Sequence, residues 1–408
     1  MLQASIDVVS DIWPCIAVMA VVVFFASSRV FKGLDPALSH VVRRDVTIDG
    51  LRTFLAFAVF IHHMSNRRHA LAPGGVYLPA VHFYFYLGSF GVAVFFMITG
   101  YLFWGKLLDT AGKPRWIELY VNRFFRIVPL YWFLIVVYAV ATFWRSPLGV
   151  GDAIARGTPQ LVKWLAFGAY PLPDPLLGDT FTLGMVGMTW TLVYEWCFYA
   201  SLIVTSLLAA ARYSGSVLVI ALAVVLTTKL GLAGPLPYFI AFFLAGMLVA
   251  RIARLYPALH GDGSARSFFA IALVIGAIAL GDTAYSVAGV LLLWPFFFLV
   301  ASGTSIFGVL TTKGATRLGH ASYSTYLLHG LVLSMFFAPS LLGIWGSSSA
   351  KHFWPLALLS ALTLVVVSAL SYTFIEKAGI NLGHRVIAPL RRRSRDDLGR
   401  PAVGPVSP

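Results

Sequence analysis

Apolar residues run along this chain in long blocks broken by short polar connections, a pattern of buried helices rather than of half-buried strands. Eleven blocks stand out, at about 13–31, 51–65, 83–104, 125–144, 190–211, 216–233, 236–251, 267–281, 285–303, 322–343 and 354–376. Most approach the ~20 apolar residues that a ~30 Å hydrocarbon core requires. The blocks at 51–65 and 267–281 are short and need apolar or aromatic flanks to reach across. The pattern predicts an all-α polytopic membrane protein with about 11 transmembrane helices.

One connection is long. Residues 145–189 include the Pro/Gly-rich piece YPLPDPLLGD (170–179), and a loop of this length is more often functional than idle. After about 385 the chain turns polar and basic, which reads as a disordered tail. No internal repeat and no second domain are visible. The organisation expected is an N-terminal helix with its cytoplasmic linker (1–45), a membrane domain (46–380) and a basic disordered cytoplasmic tail (381–408).

Composition agrees with the block pattern. Of 408 residues 59% are hydrophobic and 11% charged, with a mean hydropathy of +0.83. A soluble protein carries roughly 25% charged residues. The net charge of +14 sits mostly in connections and in the tail RVIAPLRRRSRDDLGR, the distribution of charges that fix membrane orientation. Nucleic-acid binding is set aside on that ground, because anionic lipid accounts for the same residues. With only Cys15 and Cys197, neither a disulfide framework nor a Cys-based metal site is expected. The first block follows Asp7 and Asp11 with no basic residue, so it reads as a retained helix and not a signal peptide.

If the segment 32–52 faces the cytoplasm, 23 of the 30 basic residues fall on that side. The bias predicts the N-terminus outside and the C-terminus in the cytoplasm of a plasma or inner membrane.

An ionisable group in lipid costs several kcal/mol unless it faces protein or water, so each one is a functional candidate. In DGLRTFLAFAVFIHH, Arg52 and His63 are eleven residues apart, which puts them on one helix face ~16 Å from each other along the axis. They can address two ends of one long ligand or of one through-membrane cavity. His62 points about 100° away and suits a hydrogen bond between helices. In RFFRIVPLYW, Arg123 and Arg126 share a face at the expected cytoplasmic start of a helix, a setting that suits phosphate. Lipid anchoring explains the same pair and, for the pair taken alone, is the stronger reading. In TWTLVYEWCFY, Glu195 lies about five residues into its block and reaches a depth similar to that of His63. A carboxylate beside an imidazole holds its tautomer and raises its basicity, as a general base needs. Trp190, Tyr194, Tyr323 and His329 are weaker candidates, for an acceptor site or for packing between helices. No metal site is expected: His62, His63, His69 and His82 lack a convincing ligand set.

Taken in order, these blocks resemble the acyltransferase-3 family of integral-membrane O-acyltransferases. Its Arg-x10-His pattern falls on Arg52 and His63, its R-x-x-R-I-x-P-x-Y-W block on RFFRIVPLYW, and its W-S/T-L-x-x-E-x-x-F-Y block on WTLVYEWCFY. GVAVFFMITGY (91–101), LGHASYSTYLLH (318–329) and the closing SYTFIEK (371–377) resemble three more. The chain departs from the family pattern at Ala93, at Thr99–Gly100 and at Lys377–Ala378. The resemblance covers about 49–377 and implies a ten-helix core with one extra helix before it, in a stand-alone membrane form. It implies transfer of an acyl group, acetyl first, from cytoplasmic acyl-CoA to a carbohydrate hydroxyl, in a bacterial inner membrane. No permanently bound cofactor is implied, only acyl-CoA as co-substrate. Arg123, Arg126 and Arg52 would then hold the CoA head and His63, oriented by Glu195, would act as base. The rival class is a transporter or exporter of a glycan intermediate with the same residues lining its path.

Overall fold

The computed structural model describes residues 2–35, 45–71, 81–166, 173–337 and 350–399. Among these residues the secondary structure is helical, with no strand. The first four helices are α1 (Leu2–Ala26), α2 (Val46–Leu71), α3 (Val81–Asp109) and α4 (Trp116–Arg145). The connection to the next long helix contains α5 (Val150–Leu165) and α6 (Thr180–Leu183). Then come α7 (Trp190–Ala209), α8 (Ser214–Thr228), α9 (Leu236–Leu255), α10 (Ser264–Leu280) and α11 (Val287–Ala301). The chain closes with α12 (Lys313–His320), α13 (Ser322–Phe337), α14 (Ala350–Ser371) and α15 (Lys377–Gly399).

Each of the eleven expected blocks falls on a helix: α1–α4, α7–α11, α13 and α14. Six helical stretches among the described residues are long and apolar enough to cross a membrane, and the apolar parts of α1, α10 and α11 are shorter. The last six residues of the 322–343 block lie outside the described residues, as do 170–172 and the tail from 400.

Three features differ from expectation. The connection 145–189 is not open loop, because α5 buries Ala153, Gly157 and Trp164. These positions recur at helical spacing and form one face. Tyr131 on α4 donates its hydroxyl to the Trp164 carbonyl at 2.6 Å, tying α5 down. The tail from 381, expected to lack structure, continues as α15 to Gly399. Finally, α4 starts nine residues before its apolar block, since WIELYVN already makes helical turns ahead of the apolar run.

α3 sits at the centre, between α2 and α9. Small residues set the closest approach: a Cβ on Gly246 would overlap the Met97 carbonyl, and one on Gly100 the Phe243 carbonyl. Helices that associate in lipid without a hydrophobic driving force depend on such contacts. α1 is clamped to the core by Arg317 of α12. That side chain reaches Asp35 through Nε at 2.6 Å and Nη2 at 2.9 Å. Its Nη1 donates to the carbonyls of Ala26, Ser27 and Ser28 at the C-terminal end of α1.

Candidate functional site

α2, α4, α7 and α13 each bring a polar side chain to one cavity of about 110 Å³, whose remaining wall is mostly apolar and includes Phe96 and Phe103 of α3. Arg52 comes from α2, Arg123 and Arg126 from α4, Glu195 from α7, and Tyr323 and Tyr326 from α13. A larger cavity of about 580 Å³ lies between α7 and α9, but its lining has no charged residue. The charged groups line the smaller one.

The three guanidinium groups are held without using their donors. Arg123 lies over the Phe103 ring, Cζ to centroid 4.3 Å. Arg126 Nη2 stands 3.4 Å from Glu376 Oε1, and Arg52 Nη1 stands 3.9 Å from Asp49 Oδ1. None of the three donates a hydrogen bond to a described residue, and the buried Arg52 Nε has no partner. Buried donors are nearly always satisfied, and three like charges in one small cavity repel. Such a cavity calls for an anionic ligand with several acceptor oxygens.

Glu195 belongs to this cavity. Its Oε2 accepts the Tyr199 hydroxyl at 2.8 Å. The expected pairing with His63 is not among the described contacts. His63 is stacked on His329, ring centroids 5.1 Å apart, and meets His62 edge-on at 4.9 Å. The cavity lining includes Arg52 but not His63, so this cavity alone does not join the two. Tyr326 joins the cavity wall to His329. It lines the cavity, its ring meets that of His329 at 5.8 Å, and its hydroxyl lies 3.0 Å from that of Thr191.

The hydrogen bonds assign two of the imidazole tautomers. His329 is fully buried and its Nδ1 donates to the Tyr326 carbonyl, so in the neutral ring Nε2 keeps its lone pair. No described group partners that Nε2. His62 donates from Nδ1 to the Tyr84 carbonyl at 3.0 Å and accepts from Asn66 at Nε2, linking α2 to α3.

Arg123 and Arg126 do not sit at a helix start. They lie seven and ten residues into α4, about 10 and 15 Å along it, so the open N–H groups of its first turn are out of reach. Trp190 and Tyr194 pack on Phe239 and are not in the cavity lining. Tyr323 faces the cavity and donates to the Ile127 carbonyl at 2.8 Å. Two carboxylates that face the site's arginines from outside the cavity lining, Asp49 and Glu376, had no role on sequence grounds. An ionisable residue closing an apolar run, in SYTFIEK, was the available signal for Glu376.

Comparison with known proteins is consistent with these blocks. An acyltransferase domain family matches residues 45–374. Peptidoglycan O-acetyltransferase OatA of Listeria monocytogenes is 28% identical over 166 residues, 38% of this chain and 22% of that protein. Exopolysaccharide production protein ExoZ of Rhizobium meliloti is 30% identical over 122 residues, 29% of this chain and 34% of that protein. The matched regions thus span about a fifth and a third of those relatives. No solved structure matches the chain.

Proposed function

The chain belongs to the acyltransferase family that it matches from residue 45 to 374, and from that premise we propose that it moves an acetyl group from acetyl-CoA to a carbohydrate hydroxyl. The observation that carries the reading is the set of three guanidinium groups around one cavity, with the buried Arg52 Nε unpartnered among the described residues. CoA has a polyphosphorylated head and a long arm. The head supplies the acceptor oxygens that Arg52, Arg123 and Arg126 lack, and bidentate guanidinium–phosphate bonds supply the specificity. The arm then directs the thioester towards the Tyr326 side of the cavity, behind which His329 and His63 are stacked.

In this reading His63 is the general base. The acceptor oxygen attacks the thioester carbonyl while His63 takes the hydroxyl proton, and the CoA thiolate leaves and is protonated. The basic residues around Arg52 and the tail face the cytoplasm, where acetyl-CoA is available, and the acceptor is an exopolysaccharide or a related glycan. The names of the two relatives, a peptidoglycan O-acetyltransferase and an exopolysaccharide production protein, support that acceptor class.

The test is mass spectrometry of surface glycans from cells with and without the gene, paired with thiol release from acetyl-CoA by the purified protein. A missing O-acetyl increment together with acceptor-dependent thiol release is the expected result. Vesicle uptake of a glycan precursor with no acylation overturns the proposal in favour of transport.

A further inference from the structure

Glu376 is not in the cavity lining, but it is the buried carboxylate that faces one of the lining arginines, Arg126. It is fully buried, 0% exposed, at the end of a five-residue π-helical turn, Tyr372–Glu376, between α14 and α15. Such turns add a residue to the helical repeat and change which side chain faces inward, and they recur at functional sites. Here the turn brings a carboxylate to α4 at the level of Arg126. The approach is tight: a Cβ on Gly379 would crowd the Phe125 carbonyl and the Pro129 ring, on either side of Arg126.

The two carboxylate oxygens are used differently. Oε2 accepts the Ser324 hydroxyl of α13 at 3.0 Å, which fixes the group from behind. Oε1 faces Arg126 Nη2 at 3.4 Å, an ion pair without hydrogen-bond geometry. The contact therefore balances the charge of Arg126 and leaves its N–H groups free for another acceptor. Arg126 needs this hold. It shares the cavity with Arg52 and Arg123, and with 27% of its side chain exposed it has a way out, away from them. A like-charged group with an exit leaves unless a counter-charge keeps it in place.

We propose that Glu376 is a positioning residue that holds the Arg126 guanidinium in the cavity so that it can bind a phosphate of the acyl donor. The inference rests on the donor reading given above. Ser324 and the π-helical turn are its supports.

Coulomb's law alone makes the opposite prediction. Removing a negative charge beside an anion site raises its positive potential and tightens anion binding. Positioning predicts weaker binding. The experiment uses the full-length protein in detergent and measures binding of acetyl-CoA and of inorganic pyrophosphate. In Glu376→Gln, which keeps size and a hydrogen bond to Ser324, both affinities are expected to fall about tenfold. Glu376→Asp, charged but one methylene shorter, is expected to fall between this variant and wild type. In an Arg126→Gln background, Glu376→Gln is expected to cause no further loss, since it acts through the missing group. Unchanged or tighter binding in Glu376→Gln overturns the inference. So does an equal loss in the Arg126→Gln background, which marks a general structural role. Wild-type protein that binds pyrophosphate but not acetyl-CoA overturns the donor reading while the Glu376 comparison stays readable with pyrophosphate. Wild-type protein that binds neither overturns both.

Discussion

His63 of α2 and His329 of α13 lie nearly face to face, ring centroids 5.1 Å apart and planes 28° apart. His329 is locked by its bond to the Tyr326 carbonyl, so it forms a fixed wall against which the His63 ring rests. His63 is outside the arginine cavity, so proton transfer and donor binding are expected to separate by mutation. His63→Gln should lower turnover by about 10²–10⁴-fold, the usual worth of a general base, and leave acetyl-CoA affinity unchanged. Thiol release in the presence of acceptor, measured beside acetyl-CoA binding, checks both. Wild-type turnover in this variant would falsify the assignment of the base.

Arg123 makes a prediction about shape rather than charge. A planar guanidinium can lie on the Phe103 ring and still present N–H groups edgewise to a phosphate, whereas an ammonium cannot do both. Arg123→Lys should therefore weaken acetyl-CoA although the charge is kept. A charged hydrogen bond is worth about 1.5–3 kcal/mol, so the loss is expected at roughly tenfold or more. Competition by 3′,5′-ADP, titrated against wild type and variant, measures it. Equal affinity for the two proteins removes Arg123 from the donor site.

The eleven apolar blocks were legible because a helix in lipid must satisfy its own backbone, and long apolar runs leave little choice of structure. Arg52 and His63 were legible for the same reason, since any ionisable group in such a run stands out. Depth was harder to read. Trp116 and Glu118 do not belong to an apolar run, yet they already form turns of α4, and this moved Arg123 and Arg126 from a helix end to its interior. The partner of Glu195 was missed because similar depth on two helices does not fix rotation, and its own helix supplies Tyr199 four residues on. Glu376 was unreadable by angle, since a π-helical turn breaks the 100° spacing that places side chains on faces.

The Asp35–Arg317 pair predicts an acid-sensitive clamp on α1. The hydrogen bond from Arg317 is the main influence on Asp35 and holds its carboxyl below the ordinary value of about 3.9. A depressed carboxyl contributes stability that is present above its unfolded value and lost as pH falls through the folded one. Thermal stability in detergent should therefore show no contribution from this pair's titration between pH 8 and 5, and a loss only below about pH 4. Asp35→Asn should remove that low-pH component. Arg317→Ala should cost more, about 3 kcal/mol, because the carbonyls of Ala26 and Ser27 lose their side-chain donor as well as Asp35 its partner. Melting curves of the three proteins across this pH range are the measurement, and an Asp35→Asn profile identical to wild type removes the clamp.

Packing of α3 on α9 gives a prediction that joins stability to the site. Gly100 and Gly246 each face a carbonyl of the other helix, so any larger residue must push the helices apart. Gly246→Val should destabilise by about 3 kcal/mol or more, at or beyond the upper end of overpacking penalties, since the obstacle is backbone. α3 also carries Phe96 and Phe103, which wall the cavity, and Phe103 is the ring beneath Arg123. Separation of the helices should thus raise the KM for acetyl-CoA even in protein that still folds. Gly215→Ala on α8 is the control, because its Cβ would meet only ordinary contact with Arg251 at 3.7 Å. There the helix gains up to about 1 kcal/mol, and KM should stay where it is. A Gly246→Val protein of wild-type melting temperature and KM means that α3 and α9 do not approach as closely as 100 and 246 require.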